Sequence, residues 1–75
     1  MKSVTIKLDL AEYVKKFVSI AEKYPFEIDL RSGRHVVNAK SMLGIFSLDL
    51  SEDVVLEIFS DDCAKFLDEI NEFVC

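Results

Sequence analysis

Residues 38–48 read Asn38-Ala39-Lys40-Ser41-Met42-Leu43-Gly44-Ile45-Phe46-Ser47-Leu48, and the way this stretch folds decides the architecture. It shows no apolar/polar alternation, so it is not a strand. Ser41 is a good helix-capping residue, and the run after it suits a helix from Lys40 to Phe46 opening at Ser41. Gly44 and the absence of a longer periodic pattern keep that helix to about two turns. Met42, Leu43, Ile45 and Phe46 make it apolar nearly all round, and so short a helix cannot bury every side.

Working outward from that helix, both flanks are β-patterned. Upstream, Arg34 to Asn38 forms a strand in which His35 and Val37 share one face and Val36 takes the other. Ser32 and Gly33 supply a hairpin turn back to a preceding strand, where Phe26, Ile28 and Leu30 alternate with Glu27, Asp29 and Arg31. Pro25 ends the element before it, a helix from about Leu10 to Lys23 whose stripe is Leu10, Tyr13, Val14, Phe17, Val18 and Ala21. Asp9 stands as its N-cap, with Glu12 three residues on completing a capping box. The first strand alternates Val4, Ile6 and Leu8 with Thr5 and Lys7.

Downstream, Val54, Leu56 and Ile58 oppose Val55, Glu57 and Phe59 in a β-branched strand. Ser60, Asp61 and Asp62 cap a last helix with Cys63, Phe66, Leu67, Ile70, Phe73 and Val74 on its apolar face, which places Cys63 in the core. Leu43 and Leu48 are expected to serve the core from the central stretch. The order βαββαβα predicts an α+β chain, a two-layer open-faced sandwich with a four-stranded antiparallel sheet, two long helices on one face and one short helix. Residues 1–75 are expected to make one domain, since a chain this short buries only about 60 % of its unfolded surface.

Composition narrows the partners. The formal charge is −5, and nine scattered Lys and Arg do not make the clustered basic surface that nucleic acid needs. A protein partner fits better. No apolar run reaches the roughly 20 residues of a membrane span, and no signal-peptide core opens the chain, so membrane insertion is not expected and a cytoplasmic location is. Cys63 and Cys75 form no CxxC pair and have no His beside them. No metal site, cofactor or catalytic constellation is therefore expected, and the chain is not read as an enzyme.

The stretch from Asn38 to Leu48, together with this element order, resembles the serine region of the histidine phosphocarrier (HPr) family of the sugar phosphotransferase system. Weaker likeness extends through Lys16, Phe17, Val18 and Ala21, through Glu27 and Ile28, and through Val54 to Ile58. The resemblance implies the HPr fold and a bacterial carbohydrate-uptake or catabolite-control setting. It also implies an active-site motif at the start of the first helix, built on a phosphorylated His with an Arg and a Pro close by. Aligned back from Phe17 and Val18, the family's His falls on Leu10, its Arg on Glu12 and its Pro on Tyr13, and the preceding connection is about three residues shorter than is usual in the family. The implied function is a regulatory or scaffolding module that does not transfer phosphate. The alternatives are a phosphocarrier with an unconventional acceptor, Asp9 or His35, or a fold-only interaction domain unrelated to sugar transport.

By the same resemblance Ser41 is a candidate for regulatory phosphorylation, against the reading that it only caps its helix. Lys40, Met42, Ile45 and Phe46 are candidates for partner binding, against a core role for the apolar three. Phosphotransferase enzymes, an HPr kinase or a transcription regulator are the partners implied. His35 itself reads as a surface strand residue, and Asp9 as a cap.

Overall fold

Eight elements follow one another in the computed structural model, which describes all 75 residues: β1 (Lys2–Ile6), α1 (Ala11–Ala21), β2 (Ile28–Ser32), β3 (His35–Asn38), α2 (Met42–Phe46), β4 (Val54–Ile58), α3 (Ala64–Glu69) and a 3-10 turn (Asn71–Phe73). The strands form one antiparallel sheet in the order β1-β4-β2-β3. The cross-strand rows Val4–Leu56–Leu30–Val37 and Ile6–Val54 carry the apolar residues to one face. There they join Val14, Phe17, Val18 and Ala21 of α1 and Phe66, Ile70 and Phe73 from the last third in one core. The expected open-faced α+β sandwich is the observed fold.

The uncovered face carries the alternate residues, including Thr5, Val55, Arg31 and Val36 in one row and Ser3, Glu57, Asp29 and Asn38 in the next. Arg31 reaches diagonally across to Glu57 and pairs with it. Partial burial, with Glu27 and Glu57 nearby, raises the Asp29 carboxyl above its ordinary range.

Gly33 adopts a φ of 59° at the first central position of the two-residue hairpin loop, while Arg34 does not share the positive φ. This is the pattern of a type II′ turn, and it sets β3 at His35 rather than Arg34. β1 begins almost at the first residue, as expected, but ends at Ile6, two residues before the alternation does, although Leu8 is buried beyond its end.

The last third departs most from expectation. The spacing of Cys63, Phe66, Leu67, Ile70, Phe73 and Val74 predicts one long helix, but α3 stops at Glu69 and the 3-10 turn follows. Val74 is extended and bridges to Ile6, the Lys7 N–H donates to the Phe73 carbonyl at 2.9 Å, and the Cys75 N–H donates to the Thr5 carbonyl at 3.1 Å. The open edge of β1 takes the tail as a partner, because its backbone groups gain hydrogen bonds that a continued helix would withhold. Cys63 is the N-cap position of α3 without a side-chain cap bond, and is buried as expected, while Ser60 accepts only from the Asp62 N–H at 3.1 Å.

Candidate functional site

The two places that could carry function are the starts of α1 and α2, and they are built differently. At α1 the expected cap is overturned. Leu10, not Asp9, holds the N-cap position, with φ −122° and ψ 143° and no side-chain cap bond. Its carbonyl accepts from Tyr13 N–H at 3.0 Å and Val14 N–H at 3.2 Å. Its side chain is 47 % exposed instead of joining the buried stripe.

Asp9 is turned aside because Ile6 and Leu8 are both drawn into the core while Lys7 pairs with the tail. It lines a cleft of ≈ 370 Å³ with Lys7, Tyr13, Glu72 and the Phe73–Cys75 tail. Lys16 closes the neighbouring surface by an ion pair to Glu72 at 3.0 Å. Partial burial and the Asp53 carboxylate push the Cys75 thiol up, away from nucleophilic thiolate.

No imidazole reaches this helix start. The only histidine, His35, is exposed on β3, at the edge of the sheet opposite β1. Three strand spacings of about 4.8 Å separate the two edges by roughly 14 Å. Glu12 adds a carboxylate in the first turn of α1, where an incoming phosphate would meet like charge. No group of three or more His, Cys, Asp and Glu residues is arranged to hold a metal ion.

α2 is fastened at its start. Ser41 Oγ accepts from the Gly44 N–H at 3.2 Å, the Ser41 N–H donates to the Asn38 carbonyl at 2.9 Å, and the Lys40 N–H donates to Asn38 Oδ1 at 2.8 Å. Lys40 Nζ donates to the Tyr24 carbonyl at 2.6 Å, which ties the entry of α2 to the α1–β2 connection. Tyr24 in turn donates to Glu69, whose carboxylate also takes Lys23 at 2.8 Å. The bond to Glu69 pushes the Tyr24 hydroxyl up to about 12, while Lys23 first and Tyr24 second hold Glu69 below the usual carboxylate range.

Gly44 is required by close approach: a Cβ there would sit 3.2 Å from Ser41 Oγ and 3.3 Å from Val37 Cβ. Without that side chain α2 settles against β3 and drives Ile45 into the core, where it is fully buried, with Leu48 behind it. Ile45 is therefore corrected from a partner-binding candidate to a core residue. Leu43, expected in the core, is instead 85 % exposed, because the inward direction is fixed by Ile45 and Leu48 at a spacing of three. Leu43 is the surface residue that sequence reasoning missed, and this spacing was the signal that could have found it. Met42 at 36 % and Phe46 at 43 % exposure flank it, so the apolar surface of α2 is Met42, Leu43 and Phe46 beside Ser41.

A family model described as "PTS HPr component phosphorylation site" matches residues 3–75. The chain belongs to the HPr family. Among solved structures it is similar to HPr-C-His from Thermoanaerobacter tengcongensis, with 32 % identity, 96 % of this chain and 89 % of that one covered, and a TM-score of 0.80. It is also similar to a phosphocarrier protein HPr from Bacillus anthracis str. Ames, at 25 % identity over 99 % of this chain and 94 % of the other, TM-score 0.73. The histidine-containing phosphocarrier protein of a mycoplasma shares the fold, at 14 % identity over 95 % and 86 % of the two chains and a TM-score of 0.73. A search of curated proteins returns no match. This HPr-family chain thus has the family's sheet and helices while its α1 start carries Leu10 at the cap and Glu12 in the first turn.

Proposed function

We propose that this HPr-family chain is a regulatory or scaffolding module of a bacterial phosphotransferase circuit that binds a protein partner through α2 and does not itself transfer phosphate. It is not an enzyme in this reading. The observation that carries it is the exposed Met42, Leu43 and Phe46 surface, presented on a helix whose backbone is fixed by Ser41, Asn38 and Lys40. An apolar surface held in one conformation loses little entropy on docking. The start of α1, with Leu10 and Glu12, offers no comparable means of accepting a phosphoryl group.

Ser41 is the regulatory position in this proposal. Residues 30–48 contain no Asp or Glu, although the whole chain has fourteen. A phosphate adding about −1.5 to −2 charges therefore meets no carboxylate from its own stretch of chain, and it would change the charge of the docking surface immediately before Met42. Phosphotransferase enzymes, an HPr kinase and a transcription regulator are the partner classes to try.

The test is to titrate isotope-labelled chain with the phosphotransferase enzymes and with an HPr kinase while following amide resonances. Shifts centred on Ser41–Ser47 that vanish in a Met42→Ser, Phe46→Ser double variant are the expected result. Shifts centred on Asp9–Tyr13, or none with any of these partners, contradict it.

A further inference from the structure

β3 has a free outer edge, and its register specifies which backbone groups are open. Ser32 pairs with His35 and Leu30 with Val37, and one step further the Ala39 N–H donates to the Ile28 carbonyl at 2.9 Å. Residues in an antiparallel ladder alternate between turning their N–H and C=O toward the partner strand and turning them away. His35, Val37 and Ala39 therefore face β2, while Val36 and Asn38 face outward. The Asn38 carbonyl already accepts from the Ser41 N–H at 2.9 Å. The N–H and C=O of Val36 and the N–H of Asn38 remain.

The other edge of the sheet is different, since the Phe73–Cys75 backbone covers β1 over Thr5–Lys7. No segment lies along β3 in this way. Its pairing runs unbroken from His35 to Asn38 with no bulge and no proline, so that its four-residue length is what limits this edge. The Val36 side chain is 54 % exposed. The charge around it is also distinct. In a chain of net charge −5, residues 30–48 hold Arg31, Arg34, His35 and Lys40 and no carboxylate, and the nearest acidic groups, Asp29 opposite Asn38 and Glu27 beside Lys40, lie at the far end of β3 from Arg34. Arg31 is paired with Glu57 and Lys40 with the Tyr24 carbonyl, whereas Arg34, in the turn that leads into β3, makes no ion pair.

We propose that the outer edge of β3 accepts an extended acidic segment of a partner protein as a fifth strand. The segment's backbone bonds to the Val36 N–H and C=O and to the Asn38 N–H, and its carboxylates, on the uncovered face with Val36, meet Arg34. Edge addition of this kind draws affinity from main-chain hydrogen bonds and selectivity from alternate side chains. A second copy pairing antiparallel about Val36 is the weaker occupant, because it sets Arg34 against Asn38 and leaves both guanidinium groups without a counter-charge. The proposal uses backbone groups of β3 and does not rest on docking at α2.

The test uses the full chain and two end-capped octapeptides, one alternating Val with Glu and one alternating Val with Lys. The Glu peptide is expected to shift the amide resonances of Arg34–Val37 and to slow exchange of the Val36 amide by about ten-fold, the scale of one net hydrogen bond. The Lys peptide should do neither. Val36→Pro removes the central outward donor and bends the edge beside Arg34 without touching the β2 ladder, a placement that edge strands tolerate. It should abolish the response while leaving the thermal midpoint nearly unchanged. Arg34→Glu, at an exposed turn, should transfer the preference to the Lys peptide and serves as the second variant should Val36→Pro disturb the fold. Absence of shifts at β3, equal response to both peptides, or a response that survives Val36→Pro overturns the proposal. So does dimerisation without peptide that Val36→Pro abolishes, which would make a second copy the occupant.

Discussion

α1 and α2 begin in opposite ways, and the contrast follows from how each helix is stabilised. α1 runs for eleven residues and buries Val14, Phe17, Val18 and Ala21, so packing alone holds it and its start can go without a side-chain cap. α2 has five residues and one buried side chain, Ile45. A helix this short is unstable without outside support, and Ser41, Asn38 and Lys40 provide it. The free amides of the uncapped start suit an anion, but Leu10 supplies no nucleophile and Glu12 opposes the charge. Together with the exposed apolar side chains of α2, this is why the proposed function is placed on α2.

The contrast can be broken most forcefully at the one buried side chain of α2. Ile45→Ala should destabilise the chain by about 2 to 5 kcal/mol, the range for removing a buried aliphatic side chain, as read in chemical or thermal unfolding. Ser41→Ala should cost about 0.5 to 2 kcal/mol, the usual worth of such a cap, with faster amide exchange at Gly44 marking the loss as local. The double replacement of Met42 and Phe46 by Ser should change stability much less than Ile45→Ala, since both side chains face solvent for a large part. Asp9→Ala should move stability by no more than about 0.5 kcal/mol, because its carboxylate caps nothing. A loss at Asp9 equal to that at Ser41 would remove the distinction between the two helix starts.

The sheet was legible in the sequence because period-two alternation in four short runs reports directly which side chains face the core, and Gly33 marks the one tight turn. The residues of α2 were only half legible. Ser41 as a cap and Leu48 as core could be read from type and position. Leu43 and Ile45 exchanged roles because an all-apolar helix carries no stripe of its own, so that the inward face is marked only by the Ile45–Leu48 spacing and is fixed by the approach of Gly44 to Val37. The Asp9 cap failed for a related reason. Asp9–Glu12 has the spacing of a capping box, yet the tail drawn onto β1 by Lys7 and Thr5 sets the path of the chain into α1. The helical spacing of Ile70, Phe73 and Val74 could not reveal that this tail was needed as an edge partner.

The reading of the chain as an HPr-family module that does not carry phosphate is tested most directly by incubating it with phosphoenolpyruvate bearing labelled phosphate and the general phosphotransferase of the system, then mapping any label by mass spectrometry. The expected result is no label on the chain, and none on a Leu10→His variant, since Glu12 remains in the first turn of α1. Stoichiometric label on Asp9 or His35 of the unaltered chain would contradict it and make the protein a phosphocarrier with an unconventional acceptor.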